Sequence, residues 1–321
     1  MLPIRDTIQS KNYPIITGIL IASNILIYLL QLSQGQKLNQ FIVLYGLVPA
    51  RYSIPEIAAH FSFDQQTVAF VSFMFLHGGF WHLLGNMWSL YIFGNNVEDK
   101  LGHLSYLVFY ILCGLVSGFT HLFLNWQSQI PTIGASGAIA GVMGAYFILY
   151  PHSRILTLIP VFFFPYFVEI PAYFFLGLWF ILQFIHAVGS TSQGGIAWWA
   201  HIGGFIFGIG FLKLFLMIPS SGITRQVKRT TVKKKTHHLQ TIHTNGTTNS
   251  PHLYGSLIIS PKESIQGTHK LVNIPWAFQK RLLKVTIPPS VTNGTSLRFQ
   301  GMGRQWGAHK KGDLYLKIII Q

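Results

Sequence analysis

The sequence predicts a polytopic α-helical membrane bundle of six transmembrane helices, followed by a small soluble all-β domain. Half of the 321 residues are apolar and only 10% are charged, whereas an ordinary soluble domain has about 25% charged residues. Residues 1–217 hold 7 of the 23 Lys and Arg residues and 6 of the 8 Asp and Glu residues, so residues 218–321 carry nearly all of the net charge of +15. This pattern excludes a water-soluble enzyme and a fibrous protein, and the single cysteine excludes a disulfide framework or a multi-cysteine zinc site.

The membrane part contains apolar segments of the length that a spanning helix requires, which is about 20 residues. They lie at roughly 13–32, 78–96, 104–124, 136–150, 172–188 and 197–217. The fourth is short and glycine-rich. The first is long enough to remain in the membrane and lacks a small-residue cleavage pattern, so we expect a transmembrane helix there and not a signal peptide.

Loop charges predict the orientation, because Lys and Arg accumulate in cytoplasmic loops. With the N-terminus inside, the inner segments before the tail carry Arg5, Lys11, Lys100 and Arg154. The outer segments then carry only Lys37 and Arg51, and the loops 125–135 and 189–196 carry no charge. We therefore expect a multi-pass protein of a bacterial inner membrane with both termini in the cytoplasm.

Three groups of polar residues lie inside these apolar segments, where polar groups usually face the bundle interior. His82 and Asn86 are four residues apart and share one helix face, Ser136 begins the fourth segment, and His201 lies near the start of the sixth. The second, fourth and sixth segments run in the same direction. At about 1.5 Å per residue, His82, Ser136 and His201 are therefore expected at one shallow depth below the outer surface.

Small residues on the fourth and sixth segments allow these helices to approach closely. They are Gly137 and Gly141, and Ala200, Gly204 and Gly208.

This close approach favours a hydrogen bond between Ser136 and His201. A serine becomes a nucleophile when a base takes its proton, and histidine is the usual base near neutral pH. A Ser–His dyad is chemically sufficient without an acid. The backbone N–H of Ser136, with the side chains of His82 and Asn86, is a candidate set of oxyanion donors.

Other interpretations fit parts of this pattern. Ser136 taken alone is more typical of a helix cap or a packing residue than of a nucleophile. Several polar residues at one depth are also typical of a transporter. A transporter usually carries a carboxylate inside the membrane. Here Glu98, Asp99 and Glu169 lie at or beyond the ends of the predicted spans, which disfavours it.

Residues 45–217 resemble the rhomboid intramembrane serine proteases. The resemblance rests on His77-Gly-Gly-Phe-Trp-His82-Leu-Leu-Gly-Asn86, on Glu98 with Gly102, on Gly134-Ala-Ser136-Gly137-Ala-Ile-Ala-Gly141 and on Ala200-His201-Ile-Gly-Gly204-Phe. It implies Ser136 as nucleophile, His201 as general base, and His82 and Asn86 as oxyanion stabilisers. It also implies structural roles near the site for Gly134, Gly137, Glu98 and Gly204, with Glu98 tying a loop or helix end together, and it implies no metal or cofactor.

The resemblance also implies a lateral substrate gate at Trp179, Phe180 and Gln183. Some rhomboids carry a tyrosine four residues after the serine, stacked under the histidine, whereas this chain has Ala140. Another group must then orient His201. The expected substrates are transmembrane polypeptides, and a rhomboid-like protein that binds membrane clients without cutting them is the alternative.

Residues 218–251 are polar and basic without an apolar period, which predicts a linker. We expect its Lys and Arg residues at 225–235 to bind anionic lipids of the inner leaflet, or to act only as a block of positive charge that stops translocation. Nucleic-acid binding is not expected, because the stretch lacks interleaved aromatic residues.

Residues 252–321 change to short β-type runs separated by Pro, Gly and Asn-Gly. The runs begin at Leu257, Lys270, Arg281, Ser296 and Leu314. Ile287-Pro-Pro-Ser-Val-Thr-Asn-Gly294 and Gly312-Asp-Leu-Tyr-Leu316 resemble the client-binding domain of DnaJ-type co-chaperones. This implies binding of an unfolded polypeptide client, with a purely structural appendage as the alternative. The chain has no His-Pro-Asp motif, so an ATPase partner is not implied.

Overall fold

A computed structural model describes residues 2–8, 10–161, 164–189, 197–217, 231, 239–242, 250–276, 279–306 and 310–321. The chain divides into two compact units, Met1–Lys233 and Lys234–Gln321. The basic residues at 225–235, on which the expectation of lipid binding rests, lie outside the described residues.

The first unit is mainly helical. Its elements are β1 (Leu2–Asp6), α1 (Ile15–Ser33), α2 (Leu38–Tyr45), α3 (Ala50–Ser53), α4 (Pro55–Ala58), α5 (Phe63–Ser72), α6 (Phe80–Ser89), α7 (Asn95–Leu101), α8 (His103–Leu124), α9 (Ser136–Leu149), β2 (Arg154–Val161), β3 (Phe164–Pro171), α10 (Ala172–Gly189) and α11 (Trp198–Met217). A π-helical turn, Leu90–Gly94, joins α6 to α7.

All six predicted spans fall on helices of this unit. In the described chain, α1, α8, α10 and α11 are long and apolar enough to cross a membrane. The segment Phe63–Phe75 and the continuous run Phe80–Leu101 form a pair bent by 76°, which is a broken span or a re-entrant loop. The apolar α9 is shorter. The membrane bundle followed by a β-sheet region is therefore confirmed.

Two parts of this unit were not predicted. The first loop forms the short helices α2 to α5, and α5 begins with a capping box between Ser62 and Gln65. The connection from α9 to α10 is a β-hairpin, β2 and β3, to which β1 adds an antiparallel strand. From the composition, both regions could be predicted only to be connections between apolar spans.

The small residues decide how α9 packs between its neighbours. Every residue of α9 from Gly137 to Tyr146 is buried. A Cβ on Gly204 would overlap the carbonyl oxygen of Gly137, and one on Gly208 would overlap that of Gly141. Because these positions lack a side chain, the backbones of α9 and α11 are in direct contact, as the spacing of small residues predicted.

Glu98 holds the start of α1 against α7 and α8. Its carboxylate is buried and accepts hydrogen bonds from the backbone N–H groups of Ile16 and Thr17, at 2.9 and 2.8 Å. It also accepts the Thr17 hydroxyl and contacts Nδ1 of His103. A carboxylate at this position satisfies N–H groups that the first turn of a helix leaves unpaired.

The second unit is a β-domain. Its elements are β4 (Leu239–Thr241), β5 (Leu253–Ile259), α12 (Pro261–Gln266), β6 (Thr268–Trp276), β7 (Gln279–Ile287), β8 (Ser296–Phe299), β9 (Gln305–Trp306), β10 (Lys310–Lys311) and β11 (Leu314–Ile320). In one sheet, β11 lies between a parallel β5 and an antiparallel β8. In another, β6 lies between a parallel β4 and an antiparallel β7. All five predicted runs lie within strands.

The predicted linker 218–251 extends too far. Leu239–Thr241 form β4, which pairs with β6, and Ile242 is buried in the core of this unit. Ile242 also fills the space beside Gly255, where a Cβ would collide with its side chain. The composition of the segment did not indicate this strand, because its apolar residues are few and its pairing partner β6 lies about 30 residues later.

A buried ion pair lies in the second unit. The Lys270 ammonium is 2% exposed and donates to Glu263 at 2.7 Å. Partial burial of Glu263 opposes its ionisation, but the hydrogen bonds from Lys270 and from the Ser260 backbone outweigh this and lower the pKa of its carboxyl. This pair holds α12 against β6.

Candidate active site

The N-terminal ends of α6, α9 and α11 meet, as the matched depth of their polar residues predicted. Ser136 is the first residue of α9, and His201 is the fourth residue of α11. The Ser136 Oγ and the His201 Nε2 are 2.7 Å apart, and His201 is buried. A hydroxyl and an imidazole at this distance can exchange a proton directly.

The glycines beside Ser136 set its position. Gly134 has φ +130°, a conformation that side chains rarely adopt, and its N–H donates to the Phe73 carbonyl oxygen at 2.8 Å. A Cβ on Gly134 would lie 2.9 Å from Nε2 of His82, and one on Gly137 would overlap the Ser117 hydroxyl. Both positions therefore need glycine to admit neighbouring side chains.

His82 lies beside Gly134, and the hydrogen bond that it accepts indicates which of its ring nitrogens carries the hydrogen. Its Nδ1 accepts the backbone N–H of Gly78 at 3.2 Å. In a neutral ring the other nitrogen, Nε2, must then carry the hydrogen. This donor points toward Gly134 and lines the cavity above Ser136. Its geometry suits a group that donates to a developing negative charge.

Asn86 lies one turn further along α6 and is buried. Its amide donates to the carbonyl oxygen of His82 at 2.8 Å, and Asn86 is not among the residues that line the cavity. The amide must rotate to reach a substrate. The structure thus brings together Ser136, His201 and His82, and leaves Asn86 behind His82.

A cavity of about 730 Å³ opens over the dyad. Its walls come from the loop before α6, the loop before α9 and the first turn of α11. They are formed by Phe73, Gly78, Gly79, Phe80, Trp81, His82, Pro131, Thr132, Ile133, Gly134, Ser136, Gly137, Ala197, Ala200 and His201.

The other side of His201 is covered by α10. The Gln183 Oε1 lies 2.7 Å from Nδ1 of His201, and the rings of Trp179 and His201 are 5.9 Å apart. Phe180 packs on Phe205 of α11 at 4.8 Å between ring centroids. Gln183, expected at a lateral gate, thus contacts the histidine. The signal that could have indicated this contact is a buried polar residue within an otherwise apolar span.

Glu98 does not lie near the site, contrary to the expectation from the resemblance. It follows His82 by 16 residues along the helical run α6–α7, a rise of about 24 Å. Its contacts are with the start of α1, at the other end of the bundle. Gly204 lies at the crossing of α9 and α11, one turn beyond His201.

Within the described part of the chain, no three His, Cys, Asp or Glu side chains are arranged to hold a metal ion.

Family models match both units of the chain. Residues 64–218 match the Rhomboid domain, and residues 224–321 match the DnaJ C terminal domain. The chain is 30% identical over 155 residues to Rhomboid protein 1, mitochondrial, of Saccharomyces cerevisiae, covering 44% of this chain and 40% of that protein. It is 31% identical over 157 residues to RHOMBOID-like protein 6, mitochondrial, of Arabidopsis thaliana, covering 47% and 45%.

A shorter match is the Putative rhomboid protease YdcA of Bacillus subtilis, 37% identical over 71 residues, which are 22% of this chain and 35% of that protein. The chain thus matches less than half of the length of each of these relatives.

Most of the relatives carry a mitochondrial designation, which goes against the bacterial inner membrane expected from the sequence. Loop charge reports the side of a membrane and not its compartment, so that expectation had no physical basis in the residues. The apolar helices and the rhomboid match support an integral membrane protein, and the orientation of its termini stays a prediction. The chain is a member of the rhomboid family that carries a DnaJ C terminal-like domain after its rhomboid domain.

Proposed function

We propose that this chain is an intramembrane serine endopeptidase that cleaves transmembrane polypeptides near the outer membrane surface. The observation that carries the proposal is the 2.7 Å contact between the Ser136 Oγ and the His201 Nε2 at the floor of an open cavity. A Ser–His pair that only stabilises packing does not need to open onto a cavity, whereas a nucleophile and its base must be accessible to the substrate.

The proposed reaction is acyl transfer followed by hydrolysis. The Ser136 Oγ attacks the scissile carbonyl carbon as Nε2 of His201 takes its proton. The backbone N–H of Ser136, which the first turn of α9 leaves unpaired, and the Nε2–H of His82 stabilise the oxyanion. The imidazolium then gives its proton to the leaving amine. Water releases the acyl group by the same steps, with His201 again as base.

The substrate must present an extended backbone to the dyad. A transmembrane helix satisfies its own N–H and C=O groups and hides the scissile bond. The proposed substrates therefore carry helix-destabilising residues at the depth of Ser136. Trp81, which is 79% exposed, and Phe80 lie at the cavity mouth, where an unwound segment would enter.

Labelling with a fluorophosphonate tests the proposal directly, because the reagent modifies an activated serine. We expect labelling and cleavage of a model membrane substrate in the wild-type protein, and neither in Ser136→Ala or His201→Ala. His82→Ala removes a proposed oxyanion donor and should reduce kcat by about 10²-fold. Asn86→Ala should cost less, because the Asn86 amide donates to the His82 carbonyl oxygen and lies outside the cavity. Cleavage at the wild-type rate by folded Ser136→Ala would exclude the serine mechanism. Absence of labelling and cleavage in folded wild-type protein would favour the non-cleaving client-binding alternative.

A second activity, binding of polypeptide clients, is proposed for the β-domain. It is supported by the DnaJ C terminal domain match and by the two sheet edges that β4 and β7 form. An edge strand accepts an extended peptide through main-chain hydrogen bonds. Because β4 belongs to this unit, the test deletes residues 234–321. Turnover of a generic substrate should be unchanged and that of the natural substrate should fall. Equal turnover of both would identify a structural appendage.

A further inference from the structure

Gln183 of α10 joins the dyad through a chain of hydrogen bonds. The side chain is 6% exposed. Its Oε1 lies 2.7 Å from Nδ1 of His201, and its Nε2 lies 3.4 Å from the carbonyl oxygen of Trp179, one turn earlier on α10. A carbonyl oxygen only accepts, so the amide nitrogen of Gln183 must face Trp179 and the amide oxygen must face the histidine.

This orientation decides which nitrogen of His201 carries the hydrogen. An amide oxygen accepts, so Nδ1 must be the donor, and Nε2 of the neutral ring then presents its lone pair to Ser136. In the opposite tautomer, lone pairs on Nδ1 and on the amide oxygen would face each other, and Nε2–H would be unable to take the serine proton. Only the first tautomer serves as a general base.

The aromatic neighbours of His201 cannot make this choice. The ring centroid of Trp179 is 5.9 Å from that of His201 at an interplanar angle of 32°, and that of Trp198 is 6.1 Å away at 90°. These contacts restrict the position of the imidazole, but neither ring offers an acceptor to Nδ1. At the position where some rhomboids carry a tyrosine, the chain has the small buried Ala140.

We propose that Gln183 is a positioning residue that selects the Nδ1–H tautomer of His201 and holds its ring toward Ser136. This proposal rests on the proposed protease function. The acid of a Ser–His–Asp triad has the same orienting task, but a neutral amide performs it without placing a charge inside the membrane, where charge is costly. During catalysis the proton moves between the Ser136 Oγ and Nε2, Nδ1–H stays on the ring, and Gln183 neither gains nor loses a proton.

The kinetic test compares Gln183→Leu with Gln183→Glu in the full-length protein. Leucine keeps most of the buried volume and removes the acceptor, so kcat should fall by about 10- to 10²-fold with KM within about twofold. Glutamate restores an acceptor oxygen and should recover most of the loss in kcat, while its buried charge should lower the melting temperature of the protein. Wild-type kcat in Gln183→Leu, or equal losses in both variants, would overturn the positioning role.

A spectroscopic test does not depend on how the Gln183 variants fold. The ¹⁵N-histidine spectrum of the wild-type protein, with the His201 signals assigned by their loss in His201→Ala, should show Nδ1 protonated and Nε2 unprotonated. A protonated Nε2 in the neutral ring would overturn the proposal. The protease function fails separately, if Ser136→Ala retains full activity.

Discussion

Replacing Gly204 by alanine should separate the two halves of the proposed dyad. The added methyl would overlap the carbonyl oxygen of Gly137, and a backbone oxygen cannot rotate away. A carbon normally stays about 3.3–3.6 Å from a carbonyl oxygen. The available space is smaller by more than about 1 Å, so α9 and α11 must move apart by roughly that distance.

This movement reaches the dyad because both members adjoin the crossing point. Ser136 precedes Gly137, and His201 lies three residues before Gly204. The 2.7 Å contact between Oγ and Nε2 would then exceed the reach of about 3.2 Å that direct proton transfer requires. We expect kcat to fall about 10²-fold, which corresponds to about 2.7 kcal/mol in the barrier.

Gly210→Ala is the matched control, because a Cβ at Gly210 meets no atom within 4 Å. Both substitutions add one methyl to α11, so any effect of alanine on the helix itself is shared. Cleavage of a model substrate in detergent or liposomes gives kcat and KM for both variants. Gly204→Ala with wild-type kcat, or Gly210→Ala with an equal loss, would refute the idea that the backbone contact sets the dyad distance.

Three further predictions concern other parts of the chain. Glu98→Gln should lower the free energy of unfolding by about 3–5 kcal/mol, because it breaks the buried contacts of the carboxylate. Glu169→Gln, which removes one member of an exposed ion pair, should lower it by less than about 1 kcal/mol in the same thermal melt. The pKa of the Glu263 carboxyl is lowered by folding, so its contribution to stability is present above its unfolded pKa and is lost as the pH falls through its folded pKa. Glu263→Gln should therefore lower the melting temperature of the β-domain at neutral pH and not in acid. The predicted orientation requires a cysteine at Gln127 to react with an impermeant reagent from outside and one at Lys317 to react only after permeabilisation, and the reverse labelling would contradict it.

Much of the site could be predicted because the hydrocarbon core of a membrane restricts which residues a spanning helix can carry. Polar side chains inside apolar spans are costly, so Ser136 and His201 stood out. Both lie near the start of a span that runs in the same direction, which predicted a similar depth. The small residues at Gly137 and Gly204 indicated which helices touch. Each of these signals is local in sequence, and each has its physical cause in the hydrocarbon environment.

Other features depend on partners far away in the sequence. The strand at Leu239–Thr241 exists because β6 pairs with it, and the cap on α1 comes from Glu98 on another helix. Asn86 has the right spacing for the cavity, yet its amide donates to its own helix. Helical periodicity predicts the helix face on which a residue lies. A hydrogen bond to a nearby backbone carbonyl can still turn its side chain away from the cavity on that face.

The amino-acid sequence alone predicts an apolar helical body with a basic β-type tail, and it places a serine and two histidines near the starts of their spans. The hydrophobic period, the length of each apolar span and the charge of each segment predict these features, because each of them reflects the solvent around that segment. The packing of the helices, by contrast, determines that Gln183 lies behind His201 and that His82 Nε2–H faces Gly134. Tautomers are set by the partner of the other ring nitrogen, and that partner is determined by how helices pack and not by the residues beside the histidine.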